Sequence, residues 1–405
     1  MLPEKIRRLE VEIGAIGRGQ LLQHSQFEFR YLDSSLQQDW VGLLMPPVQP
    51  TYQDGAIFPV MDQNLPEGDL YLRLRQMYPK QPLTPMHLLA LAGSNGIGRL
   101  GYRLPGTDPV ALPTSIARKT LLEMAFTPQV FDQLVQAYLS TGAGIAGMQP
   151  KIMVPDRPTV SIPTLIVKAA SPAYPGLAAN EYLCLSAATR AGILTPTFDL
   201  SHDGQMLIVD RFDIEADGAR LGFEDIASLM GLRVRDTLSD RKYQGSYARI
   251  VDVLKMLQLP QVNLERFFEQ VALSVMVRNG DGHLKNFGLL YRNASDSWLA
   301  PMFDVVTTSI YRYTRYEGGA ELEDRTMALK LFSGKHHTKA YPTTDELLKF
   351  GRENCEVANP RLVLQRIAQG MQETLERAKT DPRIPATTLA VMHDVWIQGM
   401  EHARN

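Results

Sequence analysis

Val277 to Tyr291 reads VRNGDGHLKNFGLLY and sets Asp281, His283, Lys285 and Asn286 within six residues. An apolar run follows at once and reads as a strand. An acid followed five residues later by an amide is the spacing of a phosphotransferase catalytic loop. The carboxylate can accept a proton from an attacking hydroxyl, and the amide oxygen can hold magnesium on a nucleotide. A second acid with metal-holding chemistry, Asp304 in LAPMFDVV, follows an apolar segment that predicts a strand end beside the loop. Upstream, NLERFFEQVALSVMVRN predicts a helix with Phe267, Val271 and Val275 on one face and Asn263 as its cap. That helix feeds the loop and would anchor it.

Working outward, STGAGIAGMQPKIMV contains Gly142, Gly144 and Gly147 in a literal G-x-G-x-x-G. In a dinucleotide fold such glycines follow a strand and open a helix. Here they follow the capped helix TPQVFDQLVQAYLS, which starts behind Thr127, and they precede the strand-like KIMV. A loop that lays backbone N–H groups over phosphates fits better; a flexible turn is the plain alternative. PTLIVKAA predicts a strand carrying Lys168, and GLAANEYLCLSAATRAGI a helix with Glu181 in its first turn. These two could form an ion pair of the kind that links a kinase strand lysine to a helix glutamate. Alternatively Lys168 snorkels at an edge and Glu181 complements the helix dipole. MLIVDRFD is a strand that breaks at Arg211 to Asp213; in a kinase the chain crosses between lobes at such a point, and the backbone of Asp210 to Phe212 would meet adenine. Arg211 and Asp213 could equally form a surface ion pair.

The remaining chain predicts a β-rich start and a helical end. LEVEIGAIGRGQLLQ and FEFRYLD alternate as antiparallel strands, and TPMHLLALAG is a short helix capped by Thr84 and ended by Gly93. The proline-rich LLMPPVQPTY and FPVMDQNLPEGD read as connections, and PGTDPVALPT as a linker that puts a boundary near residue 106. From Phe223 onward the pattern turns helical: EDIASLMGL, YARIVDVLKMLQL, TTDELLKFGREN with the capping box Thr343 to Glu346, RLVLQRIAQGMQETLERA and LAVMHDVWIQGMEHA. No internal repeat is evident. The 405 residues carry a net charge of −2, which gives no general attraction to nucleic acid or anionic membrane. Two distant cysteines, Cys184 and Cys355, argue against a disulfide framework and fit a reducing cytoplasm. No apolar run approaches the roughly 18 residues that span a bilayer, and MLPEKIRRLEVEIG lacks a signal-peptide core. No membrane association is expected.

Taken in order, these motifs resemble those of the HipA-like serine/threonine kinases, the toxin halves of bacterial toxin–antitoxin pairs associated with persistence. GIAGMQPK resembles the family's S-x-A-G-x-Q-x-K loop, IVKAA with NEY its ATP-lysine strand and helix, VDRFD its interlobe ERFD, and DGHLKNF with FDVV its catalytic loop and metal-binding acid. GDLYLRLRQMY and GSNGIGRLGY resemble its extra N-terminal subdomain. The resemblance implies an α+β, two-lobed protein-kinase-like fold. A β-rich N-terminal subdomain would occupy 1–106, an N-lobe with glycine loop and ATP lysine 107–213, and a mostly helical C-lobe 214–405. It implies Asp281 as general base, Lys285 as a charge-neutralising catalytic lysine, and Asn286 and Asp304 as magnesium ligands. ATP would be held by Gly144, Ala146, Gly147, Lys151, Lys168, Asp210 and Phe212. His283 lies in the same site; metal ligand and core residue are both open to it, and fixing the loop is the favoured role.

The implied cofactors are ATP and Mg2+. The implied partners are a protein substrate of the aminoacyl-tRNA synthetase class and a HipB-like helix-turn-helix antitoxin, with DNA reached only through that antitoxin. One departure bears on regulation. The family's loop serine, whose autophosphorylation ejects the loop and silences the kinase, aligns with Gly144, which has no hydroxyl. Ser140 or Thr141 could take its place only if the loop is longer or shifted. Two other functions remain in view: a small-molecule phosphotransferase, since D-x-H-x-x-N also suits lipid and antibiotic kinases, and a catalytically silent protein that acts through its antitoxin.

Overall fold

The computed structural model describes residues 2–14, 17–32, 40–107, 115–127, 129–130, 132, 151–156, 162–169, 174–233, 239–313 and 322–404. The glycine-rich stretch 142–147 and most of the linker read at 105–114 lie outside the described residues, as does most of the helix read behind Thr127. The chain divides into two compact units. The first takes Met1–Ala169, Ile208–Arg241 and Gly288–Ser297; the second takes Ala170–Leu207, Lys242–Phe287 and Trp298–Asn405.

In the first unit β1 (Arg8–Ile13), β2 (Gly17–Gln23), β3 (Phe27–Tyr31), β4 (Thr51–Asp54) and β5 (Leu100–Arg103) form an antiparallel sheet in the order β4-β3-β2-β1-β5. Period-two patterning sets its register: Leu9, Val11 and Ile13 are fully buried, while Glu10 between them pairs with Arg103 at 3.0 Å. Helices α1 (Pro59–Asp62), α2 (Gly68–Met77) and α3 (Pro85–Ala92) accompany this sheet in sequence. Thr84 Oγ1 accepts from the His87 N–H, Pro85 occupies the first turn, and Gly93 at φ 61° ends α3, as its residues predict. The stretches read as bare connections contain β4 and α1.

After α4 (Arg118–Glu123), β6 (Lys151–Val154) and β7 (Leu165–Ala169) pair antiparallel in a sheet that β8 (Phe198–Leu200) and β9 (Met206–Asp210) complete in the order β6-β7-β9-β8. The chain passes between the units within β9. The expected break at Arg211 to Asp213 is present, but the ion pair there is buried, not superficial. Both side chains are fully shielded from solvent, and Arg211 Nη2 lies 2.6 Å from Asp213 Oδ2. Arg211 also donates to Asn95 O, Gly96 O and Pro163 O, and Asp213 accepts from the Gly98 N–H at 2.7 Å. Burying this pair is sustainable only because these partners satisfy the remaining donors and acceptors.

The helical reading from Phe223 onward needs correction at its start. β10 (Gly222–Asp225) is a strand paired with β11 (Gly288–Asn293), and α6 (Ile226–Leu229) is a single turn capped by Asp225.

In the second unit α5 (Leu177–Arg190) starts after Gly176, at φ 70°, so Glu181 falls in the second turn, not the first, and is buried. A dipole-complementing surface glutamate is therefore excluded. α5 packs against α10 (Pro360–Ala378), where Gly370 permits close approach; an added Cβ would lie 2.7 Å from Ala187 O. α7 (Tyr247–Met256), capped by Ser246, precedes α8 (Gln261–Met276). α8 begins two residues before Asn263, which is not its cap. Asn263 instead accepts from the Leu299 N–H and donates to Pro260 O. α9 (Thr344–Lys349) carries the expected capping box of Thr343 and Glu346. α11 (Ala386–Met400) meets the end of α8 at Gly399, whose added Cβ would stand 1.8 Å from Met276 O.

Candidate active site

The loop leaves α8 at Arg278, a non-glycine residue at φ 58°. A series of bonds holds the residues that follow. Gly280 N–H donates to Thr308 Oγ1 at 2.7 Å, and Asp281 N–H to Asn279 Oδ1 at 3.1 Å. The Tyr247 hydroxyl reaches Gly282 O at 2.8 Å from the buried face of α7. His283 N–H donates to Asp281 O at 2.7 Å and to Asn286 Oδ1 at 3.0 Å, which holds the short turn Leu284–Asn286 in register. Gly280 is required sterically: an added Cβ would lie 2.1 Å from Asp324 Oδ2 and 2.6 Å from Thr326 O. Below the loop, Trp396 donates to Thr307 Oγ1 at 2.9 Å, and Asn180 Oδ1 accepts from the Thr307 N–H. The strand expected after the loop forms as β11.

The side chains divide by environment. Asp281 is exposed to solvent, yet protein atoms crowd it at longer range. That crowding, the largest cause, raises its pKa. Asp304 and Asp324 push the same way, against the Tyr243 hydrogen bond and the Lys242 charge. Asp304 lies past β12 (Asp296–Leu299), five residues beyond the strand's last residue, with φ 51°. Arg278 and Asp304 are thus both left-handed non-glycine residues around one loop, a conformation that tertiary bonds must sustain. His283 is buried. Desolvation first, then Lys242 and Lys285, hold its pKa well below the ordinary value, so the ring is neutral. Its Nδ1 is buried without a hydrogen-bond partner among the described residues. Lys285 and Asn286 are half-buried.

Asp281, His283, Lys285, Asn286 and Asp304 all belong to the second unit, and Asp304 acts electrostatically on both Asp281 and His283. Of the other candidates, the described ones, Lys151, Lys168, Asp210 and Phe212, belong to the first unit. Lys151 and Lys168 are Cα partners across β6 and β7, so they share one face of that sheet; Lys168 is 5% exposed. Asp210 ends β9 in an ion pair with Arg118, and Phe212 meets Phe223 edge-on, centroids 5.7 Å apart. Gly144, Ala146 and Gly147 lie outside the described residues.

Tyr243 is the functional residue that sequence reasoning missed. It ends the short turn Ser239–Tyr243, and its hydroxyl donates to Asp281 Oδ1 at 2.7 Å. No periodic pattern marks it; the only signal is an aromatic beside two cations in RKY, 38 residues before its acceptor.

Among the described residues no cluster of three or more histidine, cysteine or acidic residues could hold a metal. No helix among them is long and apolar enough to cross a membrane.

Comparison with known proteins supplies the family context. Residues 143–380 match the model of the HipA-like C-terminal domain, and residues 9–103 that of the HipA N-terminal domain. A protein of Sinorhizobium fredii described as "Putative kinase Y4dM" is 28% identical over 36% of this chain and 38% of its own length. A second from the same organism, "Putative kinase Y4mE", is 26% identical over 77% of this chain and 76% of its own. A Haemophilus influenzae relative described as "Putative kinase" is 26% identical over 47% of this chain and 59% of its own length, so this chain spans less than two thirds of that protein and of Y4dM. Among solved structures, HipA from Shewanella oneidensis, determined with HipB and operator DNA, superposes with a TM-score of 0.67 at 18% identity. That match covers 98% of this chain and 96% of that one. At this identity the likeness speaks to the fold: a mixed α and β architecture shared with HipA.

Proposed function

The chain belongs to the HipA-like family, and from that premise we propose that it is an ATP- and magnesium-dependent protein kinase directed at serine or threonine hydroxyls. The observation that carries this reading is Asp281: a carboxylate open to solvent, on a loop whose backbone is bonded at Gly280, Asp281, Gly282, His283 and Asn286, with a raised pKa suited to taking a proton. A second support is the donor set. Asn286 Oδ1 accepts one bond, from His283, and a carboxamide oxygen has two lone pairs, so a second acceptor site remains. Together with the Asp304 carboxylate this is a hard-oxygen set of the kind magnesium prefers. The mutual repulsion of Asp281 and Asp304 is relieved by a dication, so the residues present fit the ion.

Within the proposal Asp281 accepts the proton of the attacking hydroxyl. Asn286 and Asp304 would hold magnesium, which when bound neutralises phosphate charge. Lys285, half-buried four residues past the base, offsets negative charge on the moving phosphoryl group. Lys168 and Lys151 present two ammonium groups on one sheet face, an arrangement suited to the ATP phosphates. Gly144, Ala146 and Gly147 would cover those phosphates, and the backbone of Asp210 to Phe212 would meet adenine. His283, neutral and buried, shapes the loop. Glycine at 144 has no hydroxyl to phosphorylate, which counts against the family's form of self-inhibition; Ser140 or Thr141 would serve only in a longer or shifted loop. The divisions at 1–106, 107–213 and 214–405 belong to the same proposal, as does a cytoplasmic location.

The protein substrate is proposed to be a translation component such as an aminoacyl-tRNA synthetase. The likeness to a HipA solved with HipB and operator DNA supports a HipB-like antitoxin as partner, with DNA contacted through it. The test is to incubate the purified chain with labelled ATP, magnesium and a cell lysate, beside Asp281→Asn. Label on a protein that disappears with the variant supports the reading. Label on a metabolite alone would move it to a small-molecule phosphotransferase, and no transfer at all to a silent regulator.

A further inference from the structure

We propose that Tyr243 is the positioning residue of the general base: its hydroxyl engages Asp281 Oδ1 and leaves Oδ2 to receive the acceptor's proton. The inference rests on the kinase reading above and adds a residue to it. A carboxylate on a loop ordinarily rotates about its terminal torsion, which has no sharp staggered wells. Here one oxygen is engaged at 2.7 Å by a donor that is itself held in place. The ring of Tyr243 stands edge-on to buried His283, centroids 5.0 Å apart at 78°. Lys339 Nζ donates to the Tyr243 carbonyl at 2.9 Å and lies 5.8 Å from the ring centroid. Lys242, itself 6% exposed, sits 5.4 Å from the same centroid. Backbone, ring face and ring edge are thus all engaged, so the Tyr243 hydroxyl bond to Asp281 costs little further ordering.

The geometry assigns the two carboxylate oxygens different work. Oδ1 accepts from the phenol throughout. When a substrate hydroxyl attacks, its O–H bond breaks and the proton passes to Oδ2, while the new O–P bond forms and the bond to the nucleoside diphosphate breaks. Tyr243 touches the base and not the reacting atoms, so its loss should slow the chemical step and leave nucleotide affinity alone.

The experiment compares the unaltered chain with Tyr243→Phe and Lys339→Met, using lysate protein as acceptor and varying ATP. Tyr243→Phe removes only the hydroxyl and should lower kcat on the order of tenfold, the scale of a lost hydrogen bond to a charged group, with KM for ATP unchanged. Lys339→Met loosens the grip on Tyr243 and should produce a smaller loss in the same direction. If a melting curve shows that Tyr243→Phe fails to fold, Lys339→Met decides alone. Equal kcat in variant and unaltered chain, or a loss that falls on KM, overturns the inference. Phosphate on Tyr243 after incubation with ATP also overturns it, because the residue would then be an acceptor. No transfer by the unaltered chain overturns the kinase reading first, and the inference with it.

Discussion

Asp213 and Asp281 are both aspartates within two residues of a conspicuous motif, and their surroundings drive them opposite ways. Asp213 is fully buried. Burial alone would raise its pKa, but Arg211, Arg220 and the Gly98 N–H together hold it below the ordinary carboxylate value. Asp281 reaches solvent yet titrates upward, because crowding and two neighbouring carboxylates outweigh the help of Tyr243 and Lys242. One acid is saturated with partners and keeps its charge permanently. The other keeps acceptor capacity and a proton affinity within reach of use. A saturated acid holds a fold together; an acid left short of partners is the one available for chemistry.

The sharpest way to break this contrast is to neutralise each acid in turn. Asp281→Asn removes the proton acceptor without changing shape. It should cut phosphate transfer by about 10²–10⁴-fold, the usual worth of a general base, with the melting curve at neutral pH unchanged or raised, because a carboxylate with a raised pKa has been removed. The pH profile of the unaltered chain carries the same information. The base works deprotonated, and desolvation, the largest cause, raises its pKa, so the acidic limb should lie above the usual aspartate position, by less once magnesium offsets the Asp304 charge. A limb at the ordinary position together with full transfer by Asp281→Asn would remove Asp281 from the role.

Asp213→Ala should do the reverse. It strands a buried guanidinium, a change that costs about 3–5 kcal/mol, and unfolding by denaturant would read it directly. Replacing both partners with apolar residues, Arg211→Met with Asp213→Leu, should recover most of that loss. If the double variant is as unstable as the single, the bonds to Asn95 O, Gly96 O and the Gly98 N–H hold the first unit, and not the charge pair.

Much of this contrast was legible in the sequence, and the part that was not has a physical reason. Caps are local, so Thr84 with Pro85 and Thr343 with Glu346 announced their helices. The loop chemistry of Asp281 and Asn286 is spelled within six residues. Asn263 misled because Pro260, which also suits a helix start, begins α8 earlier and releases the asparagine for a long-range bond to Leu299. β10 was hidden because GFED is short and carries a carboxylate, Glu224, that only a tertiary environment makes tolerable in a strand. The buried state of Arg211 and Asp213 depends on backbone atoms more than 110 residues away, and Tyr243 on an acceptor 38 residues away. No local pattern encodes either.

Glu224 lies between the two extremes and sharpens the comparison. It accepts from the Leu43 N–H at 2.5 Å, the Tyr291 hydroxyl at 3.1 Å and the Ser228 hydroxyl at 3.1 Å, yet burial, the largest cause, still pushes its pKa up to about 7. Hydrogen bonds without a cation do not restore what desolvation removes. The sign follows. The folded state binds the proton more tightly than the unfolded one, so stability falls as pH rises from about 4.5 to about 7 and levels off above. Glu224→Gln keeps the acceptor oxygen and abolishes the titration. It should match the unaltered chain near pH 5 and exceed it near pH 8 by about 2 kcal/mol, less than the full shift implies because the amide fits the Ser228 hydroxyl imperfectly. Equal stability at both pH values would mean that Glu224 stays charged.

The smallest expected effect closes the scale. Glu376 also has a lowered pKa, from its hydrogen bond to Lys379 first and then the charge of that residue, so by direction of shift alone it resembles Asp213. Its pair with Lys379 is exposed on α10, with Nζ 2.7 Å from both carboxylate oxygens, and water offers each partner nearly the same solvation. Glu376→Gln should leave the melting temperature unchanged at physiological salt. A marked drop would mean that the direction of a pKa shift suffices to identify a structural acid. An unchanged curve, set beside the loss at Asp213, would locate the difference in burial: the same sign of shift stabilises the fold only where water cannot replace the partner.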